Sequence, residues 1–290
     1  MSADLMTPPI DAPATTAPIA AKRPQEGVIV PHLHRSWAAT WPKLIAVGLF
    51  VGIWQAVVWS GWRPSFVLPG PATVGQALLE MVQTERFWSG LSTTLRRALV
   101  GFGLAVAIGT VLGIAVARVK VLRAAVGSMI TGLQTMPSIT WFPLAILLFG
   151  LTEQAITFVV VLGAAPSIAN GILSGIDHVP PAFTRLGTVL GARGMTLYRH
   201  VILPAAMPSY VSGLNQGWAF AWRSLMAGEL LVIIAEQPSL GADLEFAREF
   251  AQAPTLLATM IVILLVGMGV DGLFSRISRS LRARRGLAVD

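Results

Sequence analysis

The chain has 290 residues, of which 54% are hydrophobic, and a formal net charge of +7. Only 12% of its residues are charged, whereas soluble domains carry about 25% charged residues. This composition, with a mean hydropathy of +0.69, predicts a membrane protein and excludes a chain with one soluble core. The absence of cysteine excludes disulfides, thiolate zinc sites and cysteine nucleophiles, and the basic residues lie in short clusters between apolar runs, which fits membrane topology rather than nucleic acid binding.

The chain begins with a polar stretch, 1–35, that is rich in Pro, Ala and Thr and has no apolar periodicity. We expect it to be a disordered cytoplasmic tail. The first apolar segment follows at about 42–60, with tryptophans near both ends, as in the aromatic belts of membrane proteins. About 20 residues can cross a hydrocarbon core of about 30 Å. We therefore predict a transmembrane helix here, and then an extracytoplasmic loop at 61–89 with a short surface helix.

Five further apolar segments are predicted, at about 91–117, 124–150, 154–174, 204–235 and 254–274. The first of these contains Gly109 and Gly113 at small-xxx-small spacing, which favours close helix packing in lipid. The next contains Pro137 and Pro143, which we expect to bend or unwind it. An acidic loop is expected at 236–253. The sequence thus predicts an all-α membrane protein with six transmembrane helices.

The positions of Lys and Arg set the predicted orientation of these helices. With the N-terminus inside, most of the 21 Lys and Arg residues fall on the cytoplasmic side, as the positive-inside rule requires. Both termini are therefore expected in the cytoplasm, and the transmembrane domain is expected at 36–278, before a basic tail at 279–290. Arg96 and Arg97 do not fit, because they lie at the presumed outer start of the second segment.

The longest polar and basic interruption of the apolar sequence runs over 185–208, RLGTVLGARGMTLYRHVILPAAMP. It resembles the cytoplasmic coupling loop of the permeases of binding-protein-dependent ABC importers. That signature is roughly E-A-A, three residues, G, nine residues and then I-x-L-P. Gly191 holds the glycine, and Val201, Leu203 and Pro204 hold the hydrophobic-x-Leu-Pro end.

The first half of the signature is degenerate, because Arg185, Leu186 and Gly187 stand where the family has E-A-A. The resemblance still implies that the loop 175–203 is a coupling loop that docks on ATPase subunits. For the arginines, an ordinary basic cytoplasmic loop is an equal alternative. The residues implied for coupling are Arg185, Gly187, Leu190, Gly191, Ala192, Leu203 and Pro204.

Two further stretches, 133–150 and 213–231, resemble the permease subfamily for sulfonates, taurine, nitrate and bicarbonate, and the resemblance covers about 66–285. It implies the type I ABC importer permease fold in the bacterial inner membrane, surrounded by lipid. It also implies a homodimer of permease copies with two cytoplasmic ATPase subunits and an extracytoplasmic substrate-binding protein. ATP and Mg²⁺ would bind to the ATPase subunits, because this sequence has no G-x-x-x-x-G-K-[ST] phosphate loop.

The fifth apolar segment carries most of the predicted translocation pathway. At 100° per residue, Asn215, Trp218, Trp222 and Glu229 share one stripe, and small residues form the opposite face. Small faces pack on neighbouring helices, whereas a polar stripe needs a cavity or a partner subunit. The residues predicted to line the pathway are Met136, Pro137, Trp141, Asn215, Trp218, Trp222, Arg223 and Glu229.

Arg223 is the most informative of these residues, because a charge near the bilayer centre costs about 2.5–3.5 kcal/mol on an insertion scale. Its guanidinium can bind a sulfonate or nitrate through paired donors. The alternative is a structural ion pair with Glu229 of another copy or with Asp271. Asp271 itself is expected to serve helix packing or to pair with an arginine.

The residues and the resemblance together predict the transmembrane subunit of an ATP-binding-cassette importer for a small organic anion, with an aliphatic sulfonate or taurine favoured. Such a subunit has no catalytic residue, cofactor or metal of its own. Nitrate, bicarbonate or another small solute is the alternative cargo. A secondary transporter is the alternative outside this class, but the sequence has no evident inverted repeat or series of membrane-embedded carboxylates. A membrane enzyme would need clustered His or Asp side chains, and the four histidines are scattered.

Overall fold

The computed structural model describes residues 32–283, and every regular element in them is helical. This confirms the all-α prediction. The predicted tails lie largely outside the described residues. The helices are α1 (His32–Trp59), α2 (Pro71–Val82), α3 (Glu85–Arg118), α4 (Lys120–Thr135), α5 (Phe142–Phe149), α6 (Glu153–Asp177), α7 (Pro181–Val189), α8 (Met195–Leu197), α9 (Leu203–Leu231), α10 (Leu240–Glu249) and α11 (Ala253–Ala283).

Four helices of the described chain are long and apolar enough to cross a membrane, namely Trp41–Trp59, Glu85–Arg118, Glu153–Asp177 and Ala253–Ile277. A bent pair, Val121–Thr135 with Ser138–Phe149, makes a fifth span if it counts as one. α9 is long enough, with 29 residues, but it is too polar to join them. The structure therefore supports four or five spans on length and composition, and the sixth stays a prediction.

The described chain divides between Val51 and Gly52 into two compact units, and α1 runs across this boundary. In the first unit, α1 exposes apolar side chains that include Leu44, Val47 and Leu49. In the second unit, α6 is the central helix, and it packs against α3 and α9. Most of α6 is buried, as expected for a helix enclosed by other helices.

Glycines let the backbones of α3, α6 and α9 approach closely. A Cβ atom on Gly213 of α9 would lie 2.8 Å from the Cα of Gly171 of α6, and one on Gly109 of α3 would lie 2.6 Å from the carbonyl oxygen of Ala165. A Cβ atom on Gly113 would lie 3.0 Å from the Cα of Ala169 of α6. The predicted small-residue packing is confirmed. Small residues are favoured at such contacts because helices in lipid have no hydrophobic driving force for association and are held together by close backbone packing.

The predicted break in the third apolar segment lies at Pro137. α4 ends at Thr135, a 3₁₀ turn covers Ser138–Trp141, and the two helical parts are bent by 106°. Pro143 behaves differently from our expectation, because it lies in the first turn of α5. A proline there leaves no intrahelical hydrogen bond unmade, so it starts a helix rather than bending one.

The segment predicted as an acidic loop contains a helix, α10. Its N-terminus is capped by Ser239, whose Oγ accepts a hydrogen bond from the backbone N–H of Ala242 at 3.3 Å. Asp243 in the first turn and Arg248 in the last turn match the helix dipole. The helix was missed because its acidic composition suggested a solvated loop, whereas the capping residue carries the signal.

The α6–α9 contact makes Gly213 intolerant of even one methyl group. We expect Gly213→Ala to lower the free energy of unfolding by about 1–3 kcal/mol, because the new Cβ must displace backbone. Gly103→Ala is the matched control, since a Cβ at Gly103 of α3 meets no atom within 4 Å. The thermal midpoints of the purified variants in detergent test this. Equal midpoints for the two variants would contradict the close contact.

Candidate functional site

The predicted coupling stretch begins with α7, which ends in a glycine-dependent turn. Gly191 has φ +85°, a left-handed conformation that costs an ordinary residue about 1–2 kcal/mol. The N–H of Ala192 donates to the carbonyl oxygen of Gly187 at 2.9 Å, and that of Gly191 donates to Thr188 at 3.0 Å. These two bonds form a Schellman motif. Gly191 therefore stops the helix and turns the chain.

Gly187 has a different role, because it is buried inside the stretch. A Cβ atom there would lie 2.6 Å from Cδ1 of Leu197 and 3.0 Å from Cγ2 of Val201. Gly187 thus lets α7 pack on the segment that leads into α9. Leu203 and Pro204 form the first turn of α9, where proline is well tolerated. The sequence signature therefore marks one packing glycine, one turn glycine and one helix start.

Five large apolar side chains on α7, the following turn and the start of α8 are exposed, and we call them the α7 patch. Their exposed fractions range from 50% for Phe183 to 83% for Val189. Arg185 is also exposed and lies on the same helix. Exposed apolar side chains that form a large patch are typical of interaction sites. The α7 patch consists of Phe183, Leu186, Val189, Leu190 and Met195.

Arg118 connects the coupling stretch to the end of α3. Its guanidinium carbon lies 4.5 Å from the centre of the Tyr198 ring, and its Nη2 donates to Sδ of Met195 at 3.3 Å. Burial raises the pKa of the Tyr198 phenol, and Arg118 opposes this shift. The residues Tyr198–Ile202 form a π-helical turn between the stretch and α9, and such turns are frequent at functional sites.

The tryptophans of the predicted pathway stripe are packed against other helices of the same chain. Trp218 is 3% exposed and meets Phe102 of α3 edge to face, with ring centroids 5.3 Å apart. Trp222 stacks on Trp218 at 6.0 Å. It also fills the space at Gly267 of α11, where a Cβ atom would lie 2.8 Å from its Nε1. Both rings therefore contribute to the contact of α9 with its neighbours.

Glu229, the outermost residue of the predicted stripe, is fully buried in a polar network. Its carboxylate accepts hydrogen bonds from Thr94 Oγ1 at 2.9 Å, Arg97 Nη1 at 3.1 Å and the Gly241 backbone N–H at 3.1 Å. Thr94 Oγ1 in turn accepts from the N–H of Leu240 at 3.0 Å. The network ties α9 to α3 and to the start of α10.

The same network accounts for the two arginines that did not fit the predicted topology. Arg97 is 6% exposed and also donates to Glu153 at 3.3 Å and to Gln237 at 2.9 Å. Arg96 pairs with Glu153 at 2.6 Å. Sequence reasoning did not find this site. The signal was available, because two arginines and two glutamates within apolar helices require partners.

Arg223 lies apart from Glu229 and is exposed. Its guanidinium carbon is 5.9 Å from the ring centre of Phe220. Within residues 32–283, no carboxylate oxygen lies within 4.0 Å of its nitrogens. Arg223 and Asp271 line one open groove of about 600 Å³ between α9 and α11. The structure thus leaves the guanidinium available to a partner or ligand.

The remaining predicted pathway residues are spread over two places. Met136 and Pro137 are exposed at the break between α4 and α5, whereas Trp141 is half-buried against the main core. Asn215 is half-buried on α9, and its Oδ1 is buried without a hydrogen bond partner. The described residues contain no group of three His, Asp or Glu side chains that could hold a metal ion.

The family of the chain follows from a comparison with protein-family models. The model described as "Binding-protein-dependent transport system inner membrane component" matches residues 106–283. The chain belongs to this family. The predicted resemblance is confirmed, and the permease is a multi-pass protein of the bacterial plasma membrane and a subunit of an ABC importer.

Curated relatives of this permease have several named cargoes. The putative aliphatic sulfonates transport permease SsuC of Escherichia coli is 29% identical over 79% of this chain and 86% of its own. The taurine transport permease TauC of Escherichia coli is 28% identical, over 78% and 86%. The riboflavin transport permease RibX of Chloroflexus aurantiacus is 30% identical, over 82% and 90%.

The fold of the permease also matches that of solved ABC transporters. A chain of the inward-facing MetNI methionine ABC transporter aligns with a TM-score of 0.57 and 20% identity, over 69% of this chain and 99% of that chain. At this identity the likeness shows the fold alone. It agrees with the helical arrangement around α6.

The network around Glu229 gives a stability prediction. We expect Glu229→Ala to lower the free energy of unfolding by about 3 kcal/mol, because it leaves the buried Arg97 with an incomplete set of partners. Glu249→Ala at the exposed end of α10 is the matched control and should change little. Thermal unfolding of the purified variants checks both. A Glu229→Ala midpoint equal to that of the control would show that the network is dispensable.

Proposed function

We propose that this permease imports a small organic anion, with an aliphatic sulfonate or taurine favoured, and that the α7 patch is its docking surface for a cytoplasmic ATPase subunit. The complex contains two copies of the permease, two ATPase subunits that bind ATP and Mg²⁺, and an extracytoplasmic substrate-binding protein. The chain itself acts as the channel and not as the motor. The observation that supports the coupling role is the exposed apolar surface on α7, which ends just before the left-handed Gly191.

The α7 patch suits a folded protein partner. Leu190 and Val189 are 77% and 83% exposed, so a partner groove that covers them gains the burial of two large side chains, each about 1.5–3 kcal/mol. Gly191 and Ala192 follow directly, and a Cβ atom on Gly191 would meet no atom within 4 Å. Arg118 and the π-helical turn at Tyr198–Ile202 then connect the docked helix to α3 and α9, and a rigid-body movement can pass through this connection.

The proposed topology has six spans, with both termini in the cytoplasm. α9 is the additional span, because its 29 residues measure about 43 Å at 1.5 Å per residue and it packs along α6. The basic residues around the coupling stretch and in the C-terminal tail support this orientation. It places the α7 patch on the cytoplasmic side, where ATP is available.

The choice of substrate rests on chemistry and on the named relatives. Sulfonates and taurine carry an oxyanion that a guanidinium binds through paired donors, and Arg223 is exposed for such a contact. Relatives named for aliphatic sulfonates and taurine cover most of the chain. A riboflavin permease is equally similar, so family membership alone does not determine the cargo. Nitrate and bicarbonate are the alternative substrates.

Growth of a strain that lacks this gene tests the substrate and the coupling together. We expect no growth on taurine or an alkanesulfonate as sole sulfur source, and normal growth on sulfate. The intact gene and a Leu190→Met version should restore growth. Leu190→Glu should not restore it, because it places a charge in the proposed docking groove.

Membrane levels of the Leu190 variants are measured by immunoblot, so that loss of coupling is separated from loss of protein. Full rescue by Leu190→Glu would refute the docking role of the α7 patch. Unimpaired growth on sulfonates together with loss of nitrate-dependent growth would contradict the proposed substrate and identify nitrate instead, and it would still support the import function.

A further inference from the structure

One face of α9 carries a row of polar side chains, which we call the α9 polar stripe. Ser209, Ser212, Gln216 and Arg223 lie within about 60° of one another on a helical wheel. The last three are exposed, and Ser209 is half-exposed. The stripe therefore differs from the predicted pathway stripe, whose tryptophans and Glu229 are packed within the chain.

The part of this stripe from Ser209 to Gln216, which lies nearer the coupling stretch, lines a small polar cavity together with α6. The cavity has a volume of about 200 Å³. Its lining contains hydroxyl groups, side-chain amides and two glycines, and neither a carboxylate nor a cation. The lining residues are Asn170, Gly171, Ser174, Ser209, Ser212, Gly213 and Gln216.

The surroundings show that this polar surface is special. Much of the exposed surface of the other long helices is apolar, with side chains such as Leu104 of α3 and Leu265 of α11, as lipid contact requires. Amides and a guanidinium cannot face lipid tails without a large cost, so they face water or protein. In the described chain the side chains of Gln216 and Arg223 are nevertheless exposed. Their face therefore adjoins water or a protein partner rather than lipid tails.

We propose that this cavity is a water-filled anion site on the translocation pathway. The cargo contacts the Arg223 guanidinium first and then enters the cavity. The ligand class is a small oxyanion whose oxygens accept hydrogen bonds from Ser212, Gln216 and Asn170. This inference rests on the proposed import function. In the proposed homodimer, the α9 polar stripe of a second copy lies opposite this face and completes the path.

The order of the two contacts follows from their positions on α9. Gln216 lies seven residues from Arg223, or about 10 Å along the helix axis, on the side nearer the coupling stretch. An anion that enters from the outer side meets the guanidinium first. Neutral hydroxyl and amide donors hold an anion less strongly than a guanidinium does. The cavity can therefore release the cargo toward the cytoplasm.

The natural absence of cysteine permits a direct test with Ser212→Cys and Gln216→Cys, one variant at a time. Each is expressed with its ATPase and binding-protein partners, and the rate of labelling by a sulfonate-bearing methanethiosulfonate is measured in membranes. Leu104→Cys, on the lipid-exposed surface of α3, is the matched control. We expect both test positions to react at least tenfold faster than the control, and added taurine or alkanesulfonate to slow the reaction.

The outcomes separate this site from the cargo assignment. Slow labelling at both positions, equal to the control, would overturn the site, and efficient disulfide cross-linking between two copies would then identify a dry interface. Fast labelling that no sulfonate, nitrate or bicarbonate slows would also overturn it as an anion site. Fast labelling that nitrate alone slows would support the site and contradict the sulfonate proposal.

Discussion

The close contact between α6 and α9 determines which surface of α9 is available for function. At Gly171 and Gly213 the two backbones touch, and Gly217 and Gly228 continue this small-residue face toward the other end of α9. Because these glycines lie on the face of α9 that packs on α6, the orientation of α9 about its own axis is fixed. Trp218 and Trp222 then pack toward α3 and α11, and the α9 polar stripe is the face that remains exposed. The arrangement of every candidate pathway residue on α9 follows from this contact.

The two ends of α9 are held in different ways, and the difference suits a transporter. At one end, Glu229 is buried among Thr94, Arg97 and Gly241, so α9, α3 and the start of α10 are joined by charge-assisted hydrogen bonds. At the other end, the π-helical turn and the cation–π contact of Arg118 with Tyr198 join α9 to the coupling stretch. In the proposed coupling mechanism, a movement of α7 is transmitted to α9 through this short connection.

Local sequence patterns predicted much of the fold. The length of the apolar segments predicted the long helices, and the small-residue spacing predicted the contact at Gly109 and Gly113. Pro137 predicted the break between α4 and α5. All three features depend on residues that are close together in the sequence. The network of Arg97 and Glu229 could not be predicted in this way, because its partners are far apart in sequence. A helical wheel grouped the aromatic side chains and the small residues of α9 on opposite faces, but it did not identify the α9 polar stripe and could not tell which face packs on its own chain. That depends on how α3, α6 and α11 surround the helix.

The central claim, that this permease couples ATP hydrolysis to anion import, is tested most directly by uptake into proteoliposomes. The permease is reconstituted with its ATPase subunits and binding protein, and uptake of labelled taurine or alkanesulfonate is measured with ATP on the ATPase side. We expect uptake that requires ATP and stops when the ATPase subunit cannot hydrolyse it. Uptake driven by an ion gradient without ATP would contradict the account and identify a secondary transporter.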